Sequence, residues 1–200
     1  DRYIRKILDA RVYDVAIKSP VSHARNLTRR FGNNIVFKRE DLQPVFSFKL
    51  RGAYNKISQL SDAQKACGVI AASAGNHAQG VALAATQLGI HATIVMPRTT
   101  PEIKVNSVRN QGAEVVLIGD AFDDAAAYAQ EQIEKHGYTY IHPYDDPDTI
   151  AGQGTVAMEL LWQFTKPIHA VFIPVGGGGL MAGMAAYIKY LRPETRVIGV

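Results

Sequence analysis

The sequence predicts an α/β chain with parallel strands and helices on both faces of the sheet, and three observations lead there. Short β-branched runs alternate with helical patterns from residue 35 onward. The segments between successive runs are long enough for helical crossovers, which parallel neighbours require. And 200 residues at 47% hydrophobic content can bury a sizeable core.

Taken in order, the first run is Ile35–Lys38, followed by a helix over Phe48–Gln59 for which Ser47 is the natural N-cap. Strand Val69–Ala71 leads through a glycine turn into helix Asn76–Leu88. Strand Ala92–Met96 is followed by helix Pro101–Gln111, and strand Glu114–Ile118 by helix Phe122–His136. Thr139–Ile141 precedes helix Ile150–Phe164, and Ala170–Val175 runs into four glycines and helix Leu180–Leu191. Val197–Val200 is the last strand. The pattern divides into residues 1–54 (the start of a large lobe), 55–143 (a small lobe closed by the turn HPYDDPD) and 144–200 (a return to the large lobe). A cleft between the lobes is expected. The chain stops at RVIGV, inside what reads as a buried strand, and starts at Asp1 without methionine. Both ends are expected to belong to a longer protein, lacking its C-terminal part here.

Composition narrows the function classes. No apolar run approaches the roughly 20 residues that span a bilayer, and the charged opening DRYIRKILDA is not a secretory signal. A single cysteine, Cys67, excludes an intramolecular disulfide, fits a reducing, cytoplasmic compartment and reads as a small core residue. The net charge of +4 gathers early, in Arg2, Arg5, Lys6, Arg11, Lys18, Arg25, Arg29 and Arg30. Acids and apolar residues interrupt it, so it reads as a solvated face or subunit contact, not a nucleic-acid arm. No membrane partner and no metal site are expected.

Ligands of such sheets sit beyond the carboxyl ends of the strands, so the loops there come first. Lys49 lies in the first turn of its helix, where the helix dipole disfavours an ammonium, beside Phe46 and Phe48. A neutral amine is what a Schiff-base lysine needs; taken alone, the residue reads as an ordinary surface lysine with a snorkelling stem. Ser73-Ala74-Gly75-Asn76-His77 turns sharply into a helix with free N–H groups, an anion site sized for a carboxylate, or else a plain capped turn. His77 by itself reads as a capping or packing residue. Gly176 to Gly179 allow close backbone approach and can form a nest of donors for phosphate, or a tight turn without ligand. No G-x-x-x-x-G-K-[ST] is present, and GGGGLMAG lacks the acidic partner of a dinucleotide fold. One lysine and two anion cradles suit a phosphate-bearing aldehyde together with an amino-acid carboxylate.

SFKLRGA, ASAGNHAQGVA and PVGGGGL, in this order and spacing, resemble the fold-type II pyridoxal-phosphate enzymes, whose architecture is tryptophan synthase β-like. Within them the resemblance is to the serine/threonine dehydratases, through all 200 residues; KREDLQPV at 38–45 and IAGQGTVAMEL at 150–160 carry it too, and KREDLQPV points to the biosynthetic threonine enzymes. The resemblance implies pyridoxal 5'-phosphate held covalently by Lys49, which also moves the α-proton. It implies Phe48 beside the cofactor and Asn76 on the pyridoxal 3-hydroxyl oxygen. It implies Gly176, Gly177, Gly178, Gly179 and Leu180 on the phosphate, and Ser73, Ala74, Gly75, Asn76 and His77 around the substrate carboxylate. The implied reaction is loss of water from L-threonine to give 2-oxobutanoate and ammonia, opening isoleucine biosynthesis, in a homo-oligomer (dimer or tetramer). A serine dehydratase or serine racemase acting on L-serine is the nearest alternative. In racemases the position of Ala74 resembles a serine that reprotonates the opposite face, and alanine has no proton to give. A non-catalytic binding protein would show cofactor absorbance without oxo-acid release, and a cofactor-free interaction fragment would show neither.

Overall fold

The chain pairs its most apolar strands in parallel. In the computed structural model, which describes residues 2–200, β3 (Val69–Ala72) and β4 (Ala92–Met96) are buried along their whole length. Strands buried on both faces need continuous apolar runs rather than alternation, and VIAA and ATIVM supply them. With β5 (Glu114–Leu117) and β6 (Thr139–Tyr140) they form a four-stranded parallel sheet in the order β5-β4-β3-β6. Val69, Ala71, Ile94 and Met96 face α5 (Asn76–Gln87) through Ala78, Val81, Ala82 and Ala85. Ile70, Ala72 and Val95 face α7 (Phe122–His136) through Ala125 and Ala129. The period of two along the strands thus meets a helix on each face.

A second parallel pair, β7 (Ala170–Ile173) and β8 (Arg196–Gly199), follows α8 (Pro147–Gln163) and flanks α9 (Gly179–Leu191). Helix α8 is mostly apolar and buried from Ala151 to Leu161, as a central helix must be. It packs on α3 (Lys49–Ser58), on α9 and on α1 (Arg2–Leu8). Glycines set how close these helices come. An added Cβ on Gly152 would lie 2.5 Å from the Arg51 carbonyl oxygen, and one on Gly80 would lie 2.9 Å from the Leu50 nitrogen. The axes can approach this closely because nothing but hydrogen stands between the backbones.

Several expectations are corrected. Ile35–Lys38 does not join a parallel series: β2 (Val36–Lys38) pairs antiparallel with β1 (Val21–His23), which follows α1 and precedes α2 (Arg25–Phe31). These elements are short and half-exposed, so the N-terminal stretch carries little hydrophobic period. Cys67 is not a core residue but exposed, ending α4 (Asp62–Cys67), a helix opened by a Ser61/Gln64 capping box. Helix α8 begins at Pro147, three residues before the expected start, because Asp146 accepts from the Asp148 and Thr149 N–H groups as its cap. Strand β7 ends at Ile173, since Pro174 has no N–H for the ladder. The early arginines are exposed, and Lys6 pairs with Asp148.

Candidate functional site

Three helix N-termini meet around one segment of chain. Lys49 is the first residue of α3. Its capping position is Phe48, not Ser47, whose hydroxyl instead accepts from the Lys49 N–H at 3.4 Å. Gln43–Phe46 forms the turn before it, with Phe46 in the left-handed region at φ 57°. That turn throws the Phe46 ring outward, 76% exposed, so it does not enclose the lysine. Phe48 does, with the Lys49 amine 5.5 Å from its ring centre. Burial pushes the Lys49 amine below the ordinary lysine range, and no carboxylate opposes this. The amine donates to the Pro143 carbonyl oxygen at 2.7 Å.

The asparagine loop lies where β3 runs into α5. Ser73 Oγ accepts from the Gly75 N–H at 3.3 Å, which shapes the turn, and a Cβ on Gly75 would meet nothing within 4 Å. Asn76, at the start of the helix, is exposed. The space beside Gly75 at the start of α5 is therefore open, as an anion site there requires. Ala74 turns its methyl toward the core beneath the loop. His77 is buried, and its Nε2 lies 2.7 Å from the Ile141 carbonyl oxygen. Burial pushes its pKa down to about 4 against the opposing hydrogen bond to Ile141, and the proximity of Lys49 and His142 adds to the fall, so the ring is neutral.

The glycine loop follows β7. Gly178 has φ 88°, which glycine adopts without strain, and α9 starts at the next residue with Leu180 buried behind it. A Cβ on Gly176 or Gly178 would meet nothing within 4 Å. On the other side the loop rests on Tyr144: a Cβ on Gly177 would run into its ring, and one on Gly179 would come 2.7 Å from its carbonyl oxygen.

The expected residues are therefore gathered by a strap, Ile141 to Asp146, that links β6 to α8. It touches His77 of the asparagine loop, Lys49, and the glycine loop through Tyr144. In the sequence this stretch, HPYDDPD, reads as the end of a βα series and nothing more. Pro143 and Tyr144 were not among the expected site residues; aromatic Tyr144 among turn residues was the available signal. The residues fit a phosphate-bearing aldehyde: an amine held poised on a carbonyl, open space before Gly176 and Gly178, and a buried His77 Nδ1 with no partner. Two shallow hollows elsewhere, near His23 and Phe37 and near Arg2 and Tyr190, share no residue with these loops.

The contact at Gly177 yields a prediction. Gly177→Val is expected to drive a side chain into the Tyr144 ring and displace the loop. Cofactor affinity should fall at least about tenfold, about 1.4 kcal/mol, in an equilibrium titration with pyridoxal phosphate. Unchanged affinity in a folded variant would place the phosphate elsewhere.

A family profile of pyridoxal-phosphate dependent enzymes matches residues 12–200. The chain is 59% identical over 198 residues to the biosynthetic, chloroplastic threonine dehydratase of Arabidopsis thaliana, covering 99% of this chain and 33% of that protein. It is 57% identical over 201 residues to the biosynthetic L-threonine dehydratase of Burkholderia multivorans, covering 99% of this chain and 40% of that one. It therefore spans between a third and two fifths of these relatives. Among solved structures, the processed form of threonine deaminase isoform 2 from Solanum lycopersicum superposes with a TM-score of 0.97 at 56% identity, over 99% of this chain and 57% of that one. Maize serine racemase superposes with 0.94 at 36% identity, over 99% of this chain and 60% of that one.

Proposed function

Because the chain belongs to the pyridoxal-phosphate dependent enzyme family and has its fold-type II α/β architecture, we propose that the whole protein removes water from L-threonine to give 2-oxobutanoate and ammonia, the first step of isoleucine biosynthesis. The observation that carries the reading is the meeting of Lys49, the asparagine loop and the glycine loop on one strap. Identity to biosynthetic threonine dehydratases supports the choice of substrate.

In this reading Lys49 holds the cofactor aldehyde, with Phe48 beside the ring and Asn76 on its 3-hydroxyl oxygen. The amides of Gly176 to Gly179 and Leu180 take the phosphate. Ser73 to His77 take the substrate carboxylate at the start of α5, where the helix dipole favours an anion. When bound, pyridoxal phosphate supplies the electron sink that acidifies the α-carbon and lets the β-hydroxyl depart. The Lys49 amine, whose pKa burial lowers, takes the α-proton from one face. The division into lobes at about residues 55 and 143 belongs to the same proposal, supported by separate apolar clusters around β3–β4 and around α8–α9. So do a homo-oligomer, supported by exposed Trp162, Phe172 and Tyr190, and a cytoplasmic location, supported by an exposed, unpaired Cys67. No helix among the described residues is long and apolar enough to cross a membrane.

Racemisation needs a second proton carrier on the opposite face, and the Ala74 methyl, directed at the core, carries none. The intact protein should therefore turn L-threonine into 2-oxobutanoate and leave unreacted L-serine without detectable D-serine. Chiral chromatography beside oxo-acid release decides it. D-serine formed at a rate comparable to elimination would replace this reading with a serine racemase.

A further inference from the structure

His77 is 4% exposed, and its Nδ1 is buried without a partner. Its Nε2 faces the Ile141 carbonyl oxygen at 2.7 Å. A carbonyl only accepts, so Nε2 carries the proton and Nδ1 is left as a bare acceptor on a neutral ring. Such a ring is held in place by one directed hydrogen bond and by packing. Two residues further along the strap, the Pro143 oxygen receives the Lys49 amine at 2.7 Å. Between them the His142 oxygen accepts from Thr149 Oγ1 at 3.4 Å. Three consecutive carbonyls are thus held by side chains from α5, α8 and α3.

We propose that His77 is a positioning residue: by fixing the Ile141 carbonyl it holds the next turn of the strap, and so the Pro143 carbonyl, where it receives the free amine of Lys49. This rests on Lys49 being the cofactor lysine and adds how its amine is kept in place before it is attached. The hold has a chemical consequence. A carbonyl acceptor stabilises an ammonium more than an amine, so Pro143 opposes the effect of burial on Lys49. If the strap is released, the amine becomes neutral at lower pH. The titratable neighbours of the ring are few: Lys49 from α3 and His142 from the strap itself. At the start of α8, Asp146 is taken up by Lys56 and Asp148 by Lys6.

The test follows the rate at which the intact, cofactor-free protein attaches pyridoxal phosphate, as a function of pH, with borohydride reduction and peptide mapping to identify the lysine. Attachment needs the neutral amine, so the rate rises through its pKa. His77→Leu, which has no donor, should move the midpoint to lower pH by about half a unit or more, the size of one ordinary hydrogen bond. His77→Gln, which places an N–H near the position of Nε2, should restore the wild-type midpoint. A mere loss of stability would lower the amplitude without moving the midpoint. If the leucine variant does not fold, His77→Asn, whose amide is too short to reach Ile141, is read in its place. An unmoved midpoint, or one that moves equally in the glutamine variant, overturns the proposal. A label on another lysine in the wild type overturns instead the reading of Lys49 on which it stands.

Discussion

Lys49→Ala is expected to abolish 2-oxobutanoate formation from L-threonine in the intact protein, by at least about a thousandfold, since on the proposed reading it removes both the cofactor attachment and the proton-transferring group. Borohydride reduction of the wild-type protein should leave the pyridoxyl group on Lys49. The choice among lysines is physical. Lys38 and Lys49 are the described lysines whose amines burial holds below the ordinary range. Lys38, however, is committed to the Glu159 carboxylate at 2.6 Å, a partner that keeps it charged. Lys56 is engaged by Asp146 at 2.7 Å, and Lys104 stands exposed on α6 (Glu102–Arg109). The Lys49 amine has a backbone carbonyl as its hydrogen-bond partner and no carboxylate, and that suits an amine that must become neutral and move. A pyridoxyl label on Lys56 or Lys104, or retained activity in Lys49→Ala, would sink the assignment.

The strands and helices from residue 69 onward were legible because a buried parallel sheet demands long apolar runs, and VIAA and ATIVM have no other plausible use. The three loops were legible because each packs special residues into a strand–helix junction. What escaped was whatever depends on partners distant in sequence. The strap residues Pro143 and Tyr144 matter only because α3, α5 and α9 converge on them, and no local pattern announces that. Gly52, Gly80, Gly152 and Gly183 look like ordinary helix defects until their backbones are seen against neighbouring helices. Cys67 was misjudged because cysteine is usually buried, whereas the last turn of α4 faces outward. Ser61-Asp62-Ala63-Gln64 and Asp146-Pro147 carry the capping chemistry of helix starts in the local sequence itself. Arg51 and Glu159 carry no local signal of burial, yet both are buried in the fold.

Glu159→Gln is expected to destabilise the protein by about 3–5 kcal/mol, the cost of removing one partner from a buried ion pair. Arg51 is fully buried and Glu159 is 1% exposed. The guanidinium forks onto both carboxylates, donating to Glu40 from Nε and Nη2 at 2.8 Å each and to Glu159 from Nη1 at 2.7 Å and Nη2 at 3.1 Å. Lys38 and the Tyr13 hydroxyl also bind Glu159, at 2.6 and 2.9 Å. Glutamine keeps the shape but leaves Arg51 and Lys38 facing each other with one carboxylate fewer. Burial alone would raise the Glu159 pKa, but the hydrogen bonds from Arg51 and Lys38 and their charges outweigh it and hold it below the ordinary range. The sign of the pH effect follows. A carboxylate whose folded pKa is depressed stabilises the fold above its unfolded pKa, and that contribution disappears as pH falls through the folded value. Denaturant unfolding from neutral to acid pH should therefore show a larger loss of stability for the wild type than for Glu159→Gln, the two curves converging at low pH. A neutral-pH loss under about 1 kcal/mol, or parallel curves, would mean that solvent already compensates the cluster. The consequence reaches the site, because Arg51 lies two residues from Lys49 on α3 and Glu159 lies on α8. The cluster fixes the register of those two helices, and with it the distance from the lysine to the strap that leads into α8.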